Sequence, residues 1–578
     1  MNRSAAEVLK QYWNYDSFRD LQEEIVQAVW EGHDTLALLP TGGGKSICFQ
    51  VPTLMKEGLC LVVSPLVALM KDQVQNLRKK GITAFAIYAG MSRKEVMATF
   101  HLAASSNCRF LYVSPERLET DLFKEYLPAL RVSLIAVDEA HCISHWGYDF
   151  RPPYLRIADI REELPGVPVL ALTATATPRI QEDICQKLKM VRPRIYIQSF
   201  LRPNLSLSVH QTNTVQNKML EILQRLPGCS IIYCRTRKRT EEVSDQLNKH
   251  EVSADFYHAG LTSDDRSEKQ KAWMKNSLRV MVCTHAFGMG IDKPDVRLVI
   301  HADVPDNLEN YYQQAGRAGR DGKKSYAVLL YHEKMLEDLE VLHKSQFPSV
   351  DYIRKIYQGL SNYLQVPLGT HEVAYGFDVQ DFLKKFSFQS KMAQAALQEL
   401  QQEDYITLND PIFFPSTVHI LADRDQLNQF EKEQPSLDPL IKTLLRTYSG
   451  ICDHPVAIHE KALAFQLKIS AEDVLKGLIE LHRFQIAKYN PQKETPEIYF
   501  NRPRCKSSDI RINEQAYRLR KEQFLKRVEG MMAFVRTTGC RSVAILSYFG
   551  EPNATDCGIC DNCVKKQKET LTQTNHRP

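Results

Sequence analysis

Apolar positions along the first 200 residues fall in short solid runs separated by stretches of helical periodicity. The runs are TLALLP (35–40), LCLVVSP (59–65), FLYVSP (110–115), SLIAVDE (133–139) and PVLALTAT (168–175). They are rich in β-branched residues and not interrupted by polar ones, as strands buried on both faces of a parallel sheet are. Each run ends in Thr, Ser, Pro or an acid, and the C-terminal ends of such strands are where α/β sheets bind ligands. A second set follows: CSIIYCRT (229–236), ADFYHAG (254–260), RVMVCTH (279–285), VRLVIHADVP (296–305) and SYAVLLY (325–331). The pattern predicts two doubly wound α/β domains with a boundary near 200–215.

After Tyr331 the alternation stops. DFLKKFSFQSKMAQAALQELQQEDYITL (381–408) and ALAFQLKISAEDVLKGLIELHRFQIAKY (462–489) read as one unit repeated. Phe382, Phe386, Leu397, Leu400 and Tyr405 correspond to Leu463, Leu467, Leu478, Leu481 and Ile486. Each repeat predicts helix, turn, helix and a strand pair, YITLNDPIFFP (405–415) and FQIAKYNPQKETPEIYF (484–500), the form of a winged helix. The alternative is a pair of helical hairpins with β-tails that only pack on the α/β domains. The second helices carry few cations, so DNA contact and packing stay equally open for them. RPRCKSSDIRINEQAYRLRKEQFLKR (502–527) is basic and fits either phosphate contact or a solvated helix face.

Composition changes this picture little. The chain has 578 residues, a quarter of them charged, and a net charge of +5, so any nucleic-acid surface must be a local patch. No apolar run is long enough for a transmembrane span, and MNRSAAEVLKQYW has no signal-peptide core, which predicts an intracellular chain without disulfides. Of fourteen cysteines, four gather at Cys540, Cys557, Cys560 and Cys563. Their C-x16-C-x2-C-x2-C spacing suits a closed, structural tetrahedral Zn2+ site. Free thiols or a redox CxxC are the alternatives, and the fourth thiol argues for metal.

LPTGGGKS (39–46) follows the first strand and precedes a helical stretch, the setting of a phosphate loop. Backbone N–H groups of Thr41, Gly42, Gly43 and Gly44 would turn toward phosphate at a helix N-terminus. Lys45 would reach the β- and γ-phosphates of ATP, and Ser46 would hold Mg2+. The strict pattern has glycine where this chain has Leu39, and an ordinary glycine turn is the alternative. Asp138 and Glu139 close the fourth run, at the same sheet edge as Lys45. There Asp138 would hold Mg2+ and Glu139 would activate water. YYQQAGRAGRDG (311–322) offers Gln313, Arg317 and Arg320 at helical spacing, and arginines from outside the loop are what γ-phosphate transfer needs. DEAHCISHWGYDFRPPY (138–154) then crowds Trp146, Tyr148, Phe150 and Tyr154 into a loop. Those aromatics either plug the loop onto the core or serve a role at the surface.

Together these residues resemble superfamily 2 helicases, and specifically the RecQ family of DNA helicases, over about residues 10–330 and the cysteine module. The motifs are YDSFRDLQ (15–22), GGGKS, LVVSPLVALMKDQV (61–74), DEAH (138–141), LTATAT (172–177), THAFGMGIDKPDVR (284–297) and QAGRAGRDG (314–322). The resemblance implies that Tyr15 stacks on adenine, Gln22 reads its edge and Arg19 supports both. It implies that SHWGYDFRPPY is a DNA loop using Trp146, Tyr148, Phe150 and Arg151, although the family more often has Gln and His where this chain has His145 and Tyr148. The family usually places its zinc module directly after the motor and a winged helix after that. Here two winged-like repeats intervene, so the family's strand-separating wing transfers to no residue of this chain.

The fold class expected is thus α/β, with two tandem RecA-like doubly wound domains (1–208 and 209–345). Winged-helix-like α+β repeats (346–425 and 426–505), a zinc-binding helical module (506–565) and a disordered tail (566–578) follow. The activity implied is an ATP-dependent 3′-5′ DNA helicase, a monomer in the bacterial cytoplasm and on the nucleoid. Its substrates would be single-stranded and forked or junction DNA in recombination and repair, alongside single-stranded-DNA-binding and recombination proteins. The alternatives are a duplex translocase that does not separate strands and a non-enzymatic DNA-binding scaffold.

Overall fold

A computed structural model describes residues 3–40, 42–88, 91, 93–144, 151–287, 293–370, 374–409, 416–448, 450–452, 455–491 and 497–574. The first sheet holds β1 (Thr35–Leu38), β2 (Leu59–Val63), β3 (Ala84–Ile87), β4 (Phe110–Val113), β5 (Val132–Val137), β6 (Val169–Thr173) and β7 (Arg194–Ile197). Every pairing is parallel, in the order β3-β4-β2-β5-β6-β1-β7. Both faces of the strands β1, β2, β4 and β6 are buried, as the solid apolar runs require. Leu36, Leu61 and Val63 enter one core, while Ala37, Cys60 and Val62 enter the core on the other side. A fully buried Leu or Val side chain contributes about 1.5–3 kcal/mol relative to exposure.

The second sheet holds β8 (Leu205–Gln211), β9 (Cys229–Tyr233), β10 (Ala254–Tyr257), β11 (Val280–Cys283), β12 (Val296–His301) and β13 (Ser325–Tyr331). Its order is β10-β11-β9-β12-β13-β8, again parallel throughout. The strand runs read from the sequence all form. Three further strands, β3, β7 and β8, were not expected. β8 pairs with β13 over seven residues, so the expected boundary at 208/209 falls inside a strand.

Residues 350–510 form a separate compact unit, and residues 511–578 belong to the same unit as the motor. Within 350–510 the repeat is plain. Helices Val379–Phe386 and Ser390–Gln402 recur about 81 residues later as Glu460–Leu467 and Ala471–Arg483. In the second repeat the strands at 487–490 and 497–500 do not pair with each other as expected, and the second half of the pair expected at 405–415 lies outside the described residues. With β14 (Ala374–Gly376), β15 (Ile406–Asn409), β16 (Thr417–Ile420), β17 (Val456–Ala457), β18 (Ala487–Asn490) and β19 (Glu497–Phe500), the sheets are β14-β19-β15 and β17-β16-β18. The two repeats exchange their last strands. Val418 and Ile420 of the first repeat bury against Leu463, Leu478 and Leu481 of the second. Phe500 of the second packs on Tyr357 and Tyr375 beside the first. The connections DPIFFP (410–415) and NPQKETP (490–496) contain prolines and no glycine, which is not the chemistry of a tight hairpin. The 425/426 boundary therefore does not separate two independent winged helices.

The expected disordered tail is also corrected, because helix Asp561–Thr574 runs through most of it. Cys563 anchors its first turn in the core, and Lys565 and Glu569 pair along its outer face at 4.0 Å. Among the described residues no helix is long and apolar enough to cross a membrane.

Candidate nucleotide site and zinc centre

The phosphate loop lies between β1 and helix Ile47–Met55. Gly42 and Gly44 adopt φ of +83° and +75°, which a side chain at either position would strain. A Cβ on Gly44 would also collide with Gln22. Gln22 is buried, and its amide donates to the Gly43 carbonyl (3.0 Å) and the Gly44 carbonyl (3.2 Å). Arg19 donates to the Gly42 carbonyl at 2.7 Å, and its own N–H is held by Gln22. Gln22 and Arg19 thus brace the loop backbone, and Tyr15 is half exposed. The Ser46 hydroxyl is not spent on capping the helix it begins. Thr41 lies outside the described residues.

The carboxylates leave β5 into the same space. Lys45 Nζ is 3.8 Å from Glu139 Oε1. Glu139 sits at φ +48°, a left-handed conformation that costs a non-glycine residue of order 1–3 kcal/mol and marks functional sites. It lies 3.4 Å from His141 Nδ1, which is 3.0 Å from Thr173 Oγ1 at the end of β6. Contacts therefore run from LTATAT to the DEAH carboxylate. Asp138 meets the Ser64 hydroxyl at 3.4 Å and the Glu139 N–H at 3.0 Å. Burial, and then the Glu139 charge, push the Asp138 carboxyl up to about 6, against the pull of Lys45. Asp138, a desolvated carboxylate, and Ser46, a hydroxyl at the end of the glycine loop, are oxygen donors of the kind Mg2+ takes.

The aromatic loop is partly outside view. Trp146, Tyr148 and Phe150 lie outside the described residues. Its ends are closed by the Arg151 N–H, which donates to the Cys142 carbonyl at 2.8 Å. Tyr154, the fourth aromatic, is fully buried and donates its hydroxyl to the Asp138 carbonyl at 3.0 Å. That one props the loop directly on the carboxylate backbone.

From the second lobe, Gln313 lies buried on helix Leu308–Ala315. The helix ends there, so Arg317 and Arg320 do not share its face as the spacing predicted. They stand on the turns beyond it, where Gly319 takes φ +66°. Gly316 and Gly319 end the helix, which is why the periodicity misled. Arg317 is buried, and the Arg320 side chain reaches the first lobe. A Cβ on Gly42 would lie only 3.0 Å from Arg320 Cδ. Two residues with no sequence signal hold this arginine loop. Arg202 and Asn204 donate to its backbone carbonyls, and only their proximity in the fold reveals them.

The ligand atoms of Cys540, Cys557, Cys560 and Cys563 all lie within 4.8 Å of one another, and the Cys557 N–H donates to Cys540 Sγ at 3.2 Å. Four converging thiols with an N–H···S bond fit a structural Zn2+. Around them, the Ser206 hydroxyl donates to the Ile559 carbonyl (2.7 Å) and the Val209 N–H to Asp561 (2.9 Å), which docks the module on β8. Arg541 pairs with the same Asp561 at 2.6 Å.

Comparison with known proteins agrees with this layout. Residues 19–184 match a DEAD/DEAH box helicase model and 214–322 a helicase conserved C-terminal domain. Residues 418–491 match a RecQ helicase winged-helix domain described for Bacteroidota, the stretch from β16 to β18, and 505–564 match a RecQ zinc-binding model. The chain is 43% identical over 329 residues to the probable ATP-dependent DNA helicase RecS of Bacillus subtilis, covering 56% of this chain and 66% of that protein. It is 41% identical over 345 residues to the ATP-dependent DNA helicase RecQ of Pasteurella multocida, covering 60% of this chain and 54% of that one. The chain thus spans between half and two thirds of the length of these relatives. A crystal structure of the DUF1998 helicase MrfA bound to DNA and AMPPNP superposes with a TM-score of 0.50 at 18% identity. It covers 59% of this chain and 52% of that one, a likeness of fold alone.

Proposed function

The chain belongs to the RecQ family of superfamily 2 helicases, and on that basis we propose that it is an ATP-dependent DNA helicase moving 3′ to 5′ on single-stranded DNA. The observation that carries the reading is the meeting of two lobes at one loop. Lys45, Asp138 and Glu139 face the phosphate loop from the first lobe, and the Arg320 side chain packs on Gly42 from the second.

In this reading ATP lies on the glycine loop. Lys45 neutralises its β- and γ-phosphates, Tyr15 covers the base and Gln22 and Arg19 hold the loop beneath it. Mg2+, held by Ser46 and Asp138, would neutralise charge developing on the phosphates. Glu139 orients the attacking water, with Lys45 and His141 beside its carboxylate. Arg320 meets charge developing on the γ-phosphate, with Arg317 and Gln313 beside it. Closure of the lobes then depends on nucleotide, and opening on hydrolysis.

Trp146, Tyr148, Phe150 and Arg151 grip the strand. Base–aromatic stacking is worth roughly 1–3 kcal/mol per base and tolerates any sequence. The buried Tyr154 hydroxyl on the Asp138 carbonyl gives the DNA loop a short path to the carboxylates. The protein acts on forked or junction DNA in recombination and repair, as a monomer in the cytoplasm and on the nucleoid. Its protein partners bind single-stranded DNA or act in recombination.

The test is displacement of a labelled strand from a 3′-tailed duplex, with phosphate release followed in parallel. ATP-dependent displacement that fails on a 5′-tailed duplex is expected. Phosphate release without displacement would make the chain a duplex translocase. No DNA-stimulated phosphate release would leave a scaffold. Trp146→Ala is expected to lower DNA-stimulated turnover far more than basal turnover, and an equal loss of both would return the loop to a hydrophobic plug.

A further inference from the structure

The connector between the two lobes, residues 198–204, carries no motif that the nucleotide chemistry uses. Its first half is clamped by the zinc module. The Glu551 carboxylate accepts from the Phe200 N–H (2.6 Å) and the Ser199 hydroxyl (2.8 Å), and the Phe549 ring stacks on Phe200 at 4.4 Å. Stacked rings add about 0.5–1.5 kcal/mol beyond the area they bury.

Its second half reaches the arginine loop. The Arg202 guanidinium donates to the carbonyls of Gly316 (3.1 Å), Ala318 (3.0 Å) and Gly319 (3.3 Å). The Asn204 amide donates to Gly319 (2.7 Å) and Lys323 (3.0 Å). Helix Leu308–Ala315 ends just before these carbonyls, which therefore have no intrahelical partner. One planar fork gathers three of them, and a lysine, with a single point of charge, could not do so.

We infer that Arg202, supported by Asn204, is a positioning residue for ATP hydrolysis: it ties the loop that carries Arg317 and Arg320 to the connector between the lobes. The connector is fixed at its other end by the zinc module. The reach of Arg320 to Gly42 is then set by where the connector lies, and lobe closure delivers the arginine to the phosphate as part of the same movement. Arg202 touches neither nucleotide nor DNA in this scheme. The inference rests on the reading of Arg320 as the group that meets the γ-phosphate.

A double-mutant cycle on the full chain tests it, with DNA-stimulated kcat and KM for ATP and binding of a fluorescent ATP analogue as readouts. Displacement of a reacting group by about 1 Å can cost on the order of 100-fold. Arg202→Gln is therefore expected to lower kcat by about 10–100-fold while KM and analogue affinity stay within about 3-fold. Arg202→Lys should recover only part of the loss. In the Arg320→Ala background, Arg202→Gln should cost little more, within about 2-fold, because the group it positions is gone. A kcat for Arg202→Gln within about 3-fold of the parent, or losses that multiply in the double variant, would overturn the proposal. Should Arg202→Gln lose its zinc or its helical circular dichroism, Asn204→Ala, which removes only two donors, carries the same cycle with an expected loss of about 3–10-fold. Unaltered turnover in Arg320→Ala alone would sink the arginine reading and the inference with it. Loss in Arg320→Ala with normal turnover in Arg202→Gln sinks the inference alone.

Discussion

The two motor lobes are the same fold twice. Counting from the first strand of each, both sheets run third, fourth, second, fifth, sixth, first; the first lobe then adds β7 outside β1. β8 is therefore the counterpart of β1, and β12 of β5. The residues at the strand ends differ. β1 leads into a glycine loop with Lys45 and Ser46, whereas β8 leads into Thr212, Asn213 and Thr214. β5 leads into Asp138 and Glu139, which stand at the glycine loop with Glu139 beside Lys45. β12 leads into Asp303, whose carboxylate already accepts from the Arg235 N–H at 2.9 Å and pairs with Arg239 at 3.1 Å. The fold supplies the same places twice, and the side chains set there decide which lobe holds nucleotide.

The largest contrast lies at the ends of β1 and β8. Lys45→Ala should reduce ATP turnover by roughly 1,000-fold or more, since the lysine meets charge that grows in the reaction. Thr212→Ala, at the matching place in the second lobe, should stay within about 2-fold of the parent, because surface changes away from such features do little. A phosphate-release assay on both, with circular dichroism to show that each folds, decides it. Full turnover in Lys45→Ala would remove the nucleotide site from the first lobe.

The aspartates give the next contrast. Asp138→Asn should cost on the order of 100-fold in turnover, as it withdraws a charge from the metal and water site. Asp303→Asn should leave turnover within about 3-fold and instead cost about 1 kcal/mol of stability, because it removes the charge that Arg239 pairs with. Equal effects on turnover would mean that the second lobe contributes an acid to the chemistry.

The meeting of Lys45 and Glu139 was legible because each lies on a local signal. GGGKS and DEAH sit where a buried run ends, so a two-fold alternation of strands and helices was enough to put them at one sheet edge. The central strands were legible for the same reason. β3, β7 and β8 were not. β7 is mostly exposed, and β8 (LSLSVHQ) alternates polar and apolar residues, so it reads as linker until its partner β13, over a hundred residues away, is known. The helix through Arg317 and Arg320 was read from periodicity, and two glycines stop it. The winged repeats were visible, but their strand exchange was not. A repeat pattern names the strands and leaves open which copy each one joins. Arg202 and Asn204 had no pattern at all, since their meaning lies in carbonyls more than a hundred residues further on.

The edges of the two sheets differ as well. β1 is covered by β7, whereas β8 is the last strand of its sheet and the zinc module covers it through Ser206 and Val209. An uncovered edge strand is a template for association. Cys560→Ser should lower zinc below the one ion per chain expected of the parent, since metal binding there is also folding free energy. It should also raise light scattering on warming. Parent protein isolated without chelators and found free of zinc, or a variant with full zinc, would refute the zinc centre. Zinc loss without any change in scattering would leave the centre standing and remove its role as an edge cover.

The smallest expected effect concerns the helix packed after β12. Glu309, at the start of helix Leu308–Ala315, is 1% exposed and accepts the Tyr548 hydroxyl at 2.9 Å. Burial raises its carboxyl above the ordinary range, and this outweighs the opposing pull of Arg527, the backbone and Tyr548; Asp306 adds to the rise. A carboxyl raised in the folded state binds its proton more tightly there than in the unfolded chain. Its contribution to stability is therefore complete at low pH and is lost as pH climbs from the ordinary carboxylate range through the folded value. Glu309→Gln keeps an acceptor for Tyr548 and removes the ionisation. The Tm of the variant minus that of the parent should therefore rise between pH 5 and pH 8, most steeply where Glu309 titrates. The counter-expectation is specific. If Arg527 needs the carboxylate more than burial penalises it, the difference will fall with pH, and the buried acid would then be an ion pair that secures helix Glu514–Arg536 to the second lobe. Thermal unfolding of the two proteins at matched ionic strength across that range separates the two signs.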